Sequence, residues 1–161
     1  MVSYRLVLGI IVGIVFSFFT VYFFNMEDPI DQIQFYLQID ILKVIVIQIG
    51  ANFKFDLLAF FTGTLNIADF APQILASIFI GFLSGAIAKG LKRGLIASTL
   101  VIIVAFLIWM LLSVISGEDL MALFQGAQLS STIGGILSAI LGAIIGGLIG
   151  GFVSGPYEEV Y

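Results

Sequence analysis

Residues 134–155 repeat a four-residue pattern in which two small residues are followed by two bulky apolar ones, reading GGILSAILGAIIGGLIGGFVSG. A helix of this composition is disfavoured in water, because each glycine costs about 1 kcal/mol relative to alanine. In a bilayer, small residues spaced by four allow the backbone of another helix to approach closely. The segment is therefore predicted to be a membrane helix built for close packing.

The composition of the whole chain agrees with a membrane location. Of its 161 residues, 61% are hydrophobic and 10% are charged, against about 45–50% and 25% in soluble domains. Cysteine and histidine are both absent, which excludes disulfides, thiolate nucleophiles and the usual zinc and haem ligands, so no cofactor is predicted. Six basic residues and a net charge of −4 argue against a nucleic-acid partner, which requires clustered lysine and arginine.

Four segments are predicted to cross the hydrocarbon core, which requires about 20 apolar residues in a helix: 6–24, 70–88, 95–115 and 132–154. The first is longer than the apolar core of a signal peptide, about 7 to 15 residues, and no small-residue cleavage site follows it. We therefore expect it to be retained as a helix. The predicted fold class is a single integral membrane domain, 1–161, that is mainly α-helical with four transmembrane helices.

The basic residues next to these spans predict their orientation. Arg5 precedes the first span, and Lys89, Lys92 and Arg93 lie between the second and the third. Because lysine and arginine are enriched in cytoplasmic loops, both positions are predicted to be cytoplasmic. Four crossings then place both termini in the cytoplasm and residues 25–69 outside it. The three adjacent charges fall short of the roughly four to eight of a typical anionic-lipid cluster, so the role assigned to them is setting the topology.

The external segment has the period of a β-strand between residues 33 and 56. Apolar residues occupy nearly every odd position there, and many even positions are polar. This alternation predicts a small extracytoplasmic β meander between helices 1 and 2, with a turn near residues 50–52. Its apolar face would cover either its own helices or a partner. The alternative is an apolar re-entrant segment, which would be costly in lipid because it carries Asp40, Lys43, Lys54 and Asp56.

Small residues at intervals of four also occur in the first two spans. The residues predicted to mediate helix packing are Gly9, Gly13 and Ser17 in the first span, Ser77, Gly81 and Gly85 in the second, and Gly135, Ala139, Gly142, Ala143, Gly146, Gly147, Gly150 and Gly151 in the fourth. We call those of the fourth span the small-residue furrow. Because four residues advance a helix by about 400°, the furrow drifts by about 40° per repeat around the helix. At least two neighbours are therefore expected, from the same chain, from identical copies or from other subunits.

The four predicted spans contain no Asp, Glu, Lys or Arg, although ion and proton pathways usually place such a residue within the membrane. Over the fourth span alone, the chain resembles the rotor-ring subunits of ATP synthases. It lacks their intramembrane carboxylate, so the resemblance implies no shared activity. Glu27, Asp28 and Asp31 are close in sequence but do not have the spacing of a calcium loop. We therefore expect no metal site and no enzymatic activity.

Abundant packing surface without site chemistry predicts a non-enzymatic integral membrane subunit that assembles or stabilises a membrane complex. Its partners would be the lipid bilayer and either copies of the same chain or other membrane subunits. The alternative is a channel-like homo-oligomer, in which copies of the fourth helix line an apolar path for a small solute or ion.

Overall fold

The computed structural model describes residues 4–63 and 71–156, and the regular structure within these residues is entirely helical. The elements are α1 (Tyr4–Phe23), α2 (Glu27–Tyr36), α3 (Ile41–Gly50), a 3₁₀ turn (Ala51–Phe53), α4 (Leu57–Phe61), α5 (Ala71–Ala88), α6 (Leu91–Ile115), α7 (Leu120–Leu123) and α8 (Gly126–Val153).

Three helices are long and apolar enough to cross a membrane: α1, α6 and the part Gln128–Val153 of α8. The prediction of a membrane protein with transmembrane helices is confirmed to that extent, but the prediction of four spans is wrong. The second predicted span, 70–88, corresponds to α5, whose described apolar part is the shorter helix Pro72–Ala88. Its composition is that of a span, whereas crossing about 30 Å of hydrocarbon requires about 20 helical residues.

Helix α5 lies at the centre of the bundle and packs against α1, α6 and α8. It runs antiparallel to α1, because Gly9 near the start of α1 lies against Ser84 and Ala88 near the end of α5. At the other end, the rings of Phe24 and Phe79 meet edge to face with their centroids 5.6 Å apart. The small residues of α1 thus face inwards.

Helix α8 runs parallel to α5, since Gly142 lies against Ser77 and Gly150 lies against Phe82 further along both helices. Gly151 then meets Gly90, at the turn between α5 and α6. Both ends of the described chain therefore lie at the same end of the bundle. The side of the membrane that this end faces stays a prediction.

The predicted β meander is wrong, because its residues form the end of α2, the whole of α3 and the 3₁₀ turn. Asp40 begins α3 as its N-cap. The Asp40 side chain accepts hydrogen bonds from the backbone N–H groups of Leu42 and Lys43, at 3.0 and 3.3 Å. Such a cap stabilises a helix start by about 1 kcal/mol, and it is the local signal that the strand interpretation missed.

The alternation of apolar residues led to the wrong prediction of a strand because other helices enclose α3 on several sides. Val44 and Ile49 are buried, and α3 packs against α1, α2 and α6. A helix in such surroundings is apolar on most of its faces, so its sequence does not separate it from a buried strand. Its β-branched residues favour a strand in isolation, and the tertiary contacts override that preference.

After α3 the chain turns inside the bundle. The 3₁₀ turn packs against α1, α3, α5 and α8, and its three residues, Ala51, Asn52 and Phe53, are buried. The chain leaves through α4, which packs against α8. We call the path from α3 to α4 the buried break. The re-entrant alternative for these residues stays a prediction.

The charged residues that made a re-entrant path costly have partners. Asp56 accepts hydrogen bonds from the backbone N–H groups of Leu58 and Ala59, at 2.9 and 3.1 Å, and so begins α4 as Asp40 begins α3. The ammonium of Lys43 lies 5.1 Å from the centre of the Tyr36 ring, within cation–π distance.

Candidate functional site

The small-residue furrow of α8 contacts α5 backbone to backbone. A Cβ atom at Gly146 would collide with the carbonyl oxygen of Ile78, and one at Gly81 would collide with the backbone of Ala143. Further backbone contacts pair Gly85 with Gly147 and Gly150 with Phe82, and Gly142 lies against the side chain of Ser77. Ala139 and Ala143 are buried between them. No side chain larger than these fits without displacing a helix.

The two ends of the furrow meet different neighbours. Towards the end of α8, Gly147 lies against Ser98 of α6. Towards its start, Gly135 lies against the carbonyl group of Phe53 in the buried break. The furrow is thus covered by α5, α6 and the buried break, all of the same chain.

The packing residues predicted in α1 face the bundle as well. Gly9 lies against the carbonyl of Ser84, and Gly13 lies against the side chain of Val101 in α6. Ser17 is 1% exposed, and its hydroxyl donates a 2.6 Å hydrogen bond to a carbonyl one turn earlier in its own helix. These three residues of α1 form a line that leads towards the buried break.

Asn52 is the polar centre of the buried break. Its Nδ2 donates to the carbonyl oxygens of Ser17 and Ile49, at 2.9 and 3.1 Å, and its Oδ1 accepts from the hydroxyl of Thr20 at 2.8 Å. The side chain is 2% exposed, so each unmade hydrogen bond would cost about 1–3 kcal/mol. Asn52 therefore fixes the break to α1.

A second polar contact fixes the exit of the break to α8. The hydroxyl of Ser138 lies 3.0 Å from the carbonyl oxygen of Phe55 and 2.8 Å from that of Gly135. Buried non-helical backbone needs hydrogen-bond partners for its polar groups. The hydroxyl of Ser138 provides one for the carbonyl of Phe55.

An aromatic cluster encloses the break on the side of α6. The ring of Phe53 lies 5.5 Å from that of Phe106 and 5.7 Å from that of Trp109, centroid to centroid. Gly50 lies against the indole nitrogen of Trp109, so a side chain at this position would displace the ring. The cluster separates the break from the outer surface of α6.

A cavity of about 420 Å³ opens above this cluster, between α2, α3, the end of α6 and the start of α8. The polar residues that line it are Gln32, Lys54, Glu118, Gln128, Ser131 and Thr132. Its apolar wall includes Phe53 and Trp109. We call it the Lys54 cavity, and it offers a polar solute both signs of charge together with hydroxyl groups.

Lys54 carries the positive charge of this cavity. Its side chain remains exposed, and its ammonium lies 3.4 Å from Oε1 of Gln32. The surrounding protein removes part of the water that would solvate the charge, and this desolvation lowers the pKa of Lys54 from its usual 10.5. The carboxylates of Asp28 and Glu118 act in the opposite direction, because they favour the charged form.

The basic residues predicted to set the topology are grouped at the other end of the bundle. Arg5 is near the start of α1, and its guanidinium lies 6.0 Å from the centre of the Tyr4 ring. Lys89, Lys92 and Arg93 surround the α5–α6 turn, in which Lys89 and Gly90 have positive φ angles of 55° and 85°. We call this end of the bundle the basic end.

Acidic residues lie at the starts of several helices. Glu27 and Asp28 lie in the first turn of α2, where a carboxylate interacts favourably with the helix dipole. Within residues 4–63 and 71–156, no three carboxylates come close enough to hold a metal ion.

The sequence pattern indicates neither Asn52 nor Lys54 as a candidate site residue. Gly50 and Asn52 interrupt an apolar run, which predicts a turn between strands. The turn exists, but it lies inside the bundle, and the positions of α1 and α6 that enclose it are not encoded nearby in the sequence.

Comparison with protein-family models, with curated proteins and with solved structures gave no match to this chain. Its function is therefore inferred from its own contacts and charges.

Proposed function

We propose that this chain is a non-enzymatic integral membrane subunit that binds a neighbouring subunit and so assembles or stabilises a membrane complex. The observation that carries the proposal is an apolar ridge on the connection between α2 and α3. Its side chains are Phe35, Leu37, Ile39 and Ile41, with exposed fractions of 65%, 58%, 67% and 72%. None of them belongs to a candidate span.

Apolar surface outside the hydrocarbon core costs about 25 cal/mol per Å² when water covers it. Contiguous patches of this kind usually mark a contact with a protein or a membrane. Helix α2 carries Glu27, Asp28 and Asp31 beside the ridge, and these charges disfavour adsorption onto an anionic lipid surface. A protein partner is therefore the favoured occupant.

The small-residue furrow contributes to this function indirectly. Because its own chain covers it, it holds the subunit together and leaves the partner surface elsewhere. The outward side of α8 presents a stripe of bulky apolar residues instead: Leu137, Leu141, Ile145 and Ile149, which are 41–50% exposed. This stripe suits lipid, and it does not favour the alternative in which copies of α8 line a narrow pore.

One observation favours a second candidate, the passage of a small solute through a single chain. Interrupted helices within a membrane often flank the binding sites of transporters, and the Lys54 cavity ends at the buried break. Flux of small anions into liposomes that contain the purified protein, lost in Lys54→Gln, would support this candidate. If the liposomes stay impermeable, the second candidate is excluded and the subunit role remains.

We also propose that the basic end faces the cytoplasm. Arg5, Lys89, Lys92 and Arg93 lie at this end, and lysine and arginine are enriched on the cytoplasmic side. Because the chain has no cysteine, single cysteines at Leu91 and at the exposed position Asp31 can be labelled without background. An impermeant thiol reagent added to intact cells should label only the second.

The subunit role is tested with a photo-crosslinking residue at Leu37, in membranes of the native host. Position Leu107 is the matched control, because it is 57% exposed but lies within the candidate span of α6. Crosslinking at Leu37 should give a protein adduct of one discrete mass, and crosslinking at Leu107 should not.

The double variant Leu37→Ser, Ile39→Ser should reduce the native complex to the mass of the single chain, while Leu107→Ser should leave its mass unchanged. A wild-type chain that is already single in native membranes, with no adduct at Leu37, would refute the proposed function.

A further inference from the structure

A second cavity, of about 480 Å³, lies at the basic end between the α5–α6 turn and the end of α8. Lys89, Lys92 and Arg93 line it. These are three of the six lysine and arginine residues in the chain. We call it the basic-turn cavity, and its positive charge is concentrated around one concave space.

No described carboxylate lines this cavity. The acidic residues within the described ranges belong to other parts of the molecule, namely α2, the buried break and the segment before α7; they are Glu27, Asp28, Asp31, Asp40, Asp56, Glu118 and Asp119. The charged side chains that line the cavity within the described residues are therefore all basic.

The backbone at the start of α6 has the same polarity. Gly90 is the N-cap of this helix, no side chain caps it, and its first turn contains no acidic residue. The first N–H groups of a helix have no partner within the helix and carry a partial positive charge. They add to the charge of the three side chains.

Apolar side chains complete the cavity wall. Leu91 and Phe152 are 50% and 73% exposed, and Pro156 lies beside them. Leu91 begins α6 and Phe152 lies near the end of α8, so both mark the ends of candidate spans. Headgroups meet acyl chains at this level of a bilayer. Apolar walls would contribute nothing to the binding of a free phosphate ion.

We propose that the basic-turn cavity binds the phosphate headgroup of an anionic phospholipid. Lys89 and Lys92 neutralise the phosphate, and an acyl chain follows Phe152 along the outer surface of α8. Three charges are few for a flat lipid-binding cluster, but basic pockets between membrane helices bind anionic headgroups. The cavity gathers them around one site next to a helix start.

The test is native mass spectrometry of the intact chain, titrated in detergent with phosphatidylglycerol or phosphatidylcholine. The double variant Lys89→Gln, Lys92→Gln retains Arg93 and Arg5. The matched control is Arg5→Gln, which removes a charge at the same end of the bundle but outside the cavity. Inorganic phosphate is added in a separate series as a competitor.

The wild type should bind one phosphatidylglycerol about tenfold or more tightly than phosphatidylcholine, because basic residues near the membrane surface attract the anionic headgroup. The double variant should lose that preference, and Arg5→Gln should keep it within about twofold. Equal retention of phosphatidylglycerol by both variants would overturn the site. Complete competition by millimolar inorganic phosphate would overturn the lipid as its source.

A further variant tests the residues after Pro156, because they include Glu158 and Glu159. Deletion of residues 157–161 should raise the affinity for phosphatidylglycerol by no more than about twofold. A much larger gain would mean that these carboxylates occupy the cavity in place of a lipid, and it would overturn the proposal.

Discussion

Helix α8 and the buried break are both enclosed by neighbouring helices, but different forces hold them. At Gly146 and Gly81 the backbones of α8 and α5 touch directly, with almost no side chain between them. At Asn52 and Ser138 the chain is held by hydrogen bonds to α1 and α8. A regular helix makes its own backbone hydrogen bonds, so its neighbours need only pack closely against it. A break leaves backbone groups unpaired, so its neighbours must also supply hydrogen-bond partners.

The largest loss of stability is expected at the contact between α8 and α5, which depends on close packing alone. In Gly146→Leu, the new side chain would collide with the carbonyl of Ile78, and the free energy of unfolding should fall by about 3 kcal/mol or more. Ile145→Leu is the control, because Ile145 is 50% exposed. Thermal unfolding in detergent measures both. Equal stability of the two variants would mean that α8 is free to move away from α5.

A smaller loss is expected where hydrogen bonds hold the break. Asn52→Leu keeps the approximate volume but removes the bonds to Ser17, Ile49 and Thr20, so it should cost about 2–3 kcal/mol. The control is Gln48→Leu, whose bond to Tyr22 is exposed, with an expected change of about 0.5 kcal/mol. If Asn52→Leu reduced the stability as little as Gln48→Leu does, close packing and not hydrogen bonding would hold the buried break.

The start of the break depends on a single cap. Asp40→Ala removes the acceptor for two N–H groups of α3 and should cost about 1 kcal/mol. Amide exchange at Leu42 and Lys43 should become faster. Asp31→Ala, at an exposed position inside α2, should change neither quantity, and a similar effect of both substitutions would rule out a specific role of the cap.

The smallest effect concerns the charge beside the break. Because desolvation lowers the pKa of Lys54 in the folded chain below the usual 10.5, the folded state loses this proton first as the pH rises. Between the lowered pKa and 10.5 the unfolded chain binds more protons, so stability should rise with pH in that window.

Below the window, both states are protonated and the full cost of the desolvated charge is present. Lys54→Met should remove the rise, which is small because the side chain is exposed. Melting temperatures measured from neutral pH up to 10.5 test this, with Lys43→Met as the control. A rise that persists in Lys54→Met would assign it to another group.

The contrast between the two regions also explains which parts of the fold the sequence predicts. The packing of α8 depends on a repeat that is complete within the helix itself, from Gly135 to Gly151. The conformation of Ile41–Gly50 depends on what surrounds it, because an apolar segment of this length fits a buried strand or a buried helix equally well. The N-cap Asp40 was the one local signal for a helix.

The same difference applies to the candidate sites. Lys89, Lys92 and Arg93 lie within five residues of sequence, so their clustering is visible there, although the cavity around them is not. Lys54 meets Gln32 and the carboxylate of Glu118 only because α2, the buried break and the end of α6 converge. Contacts between residues so distant along the chain are not encoded by any local pattern.

Composition and the spacing of small residues act within a single segment, so the sequence alone predicted helices long and apolar enough to cross a membrane and identified α8 as the helix with the closest packing. The tertiary structure was needed to show that residues 41–61 enter the bundle as helices and a turn, that the furrow is covered by its own chain, and that two cavities lie at opposite ends. Each of these depends on surfaces that segments far apart in the chain form together.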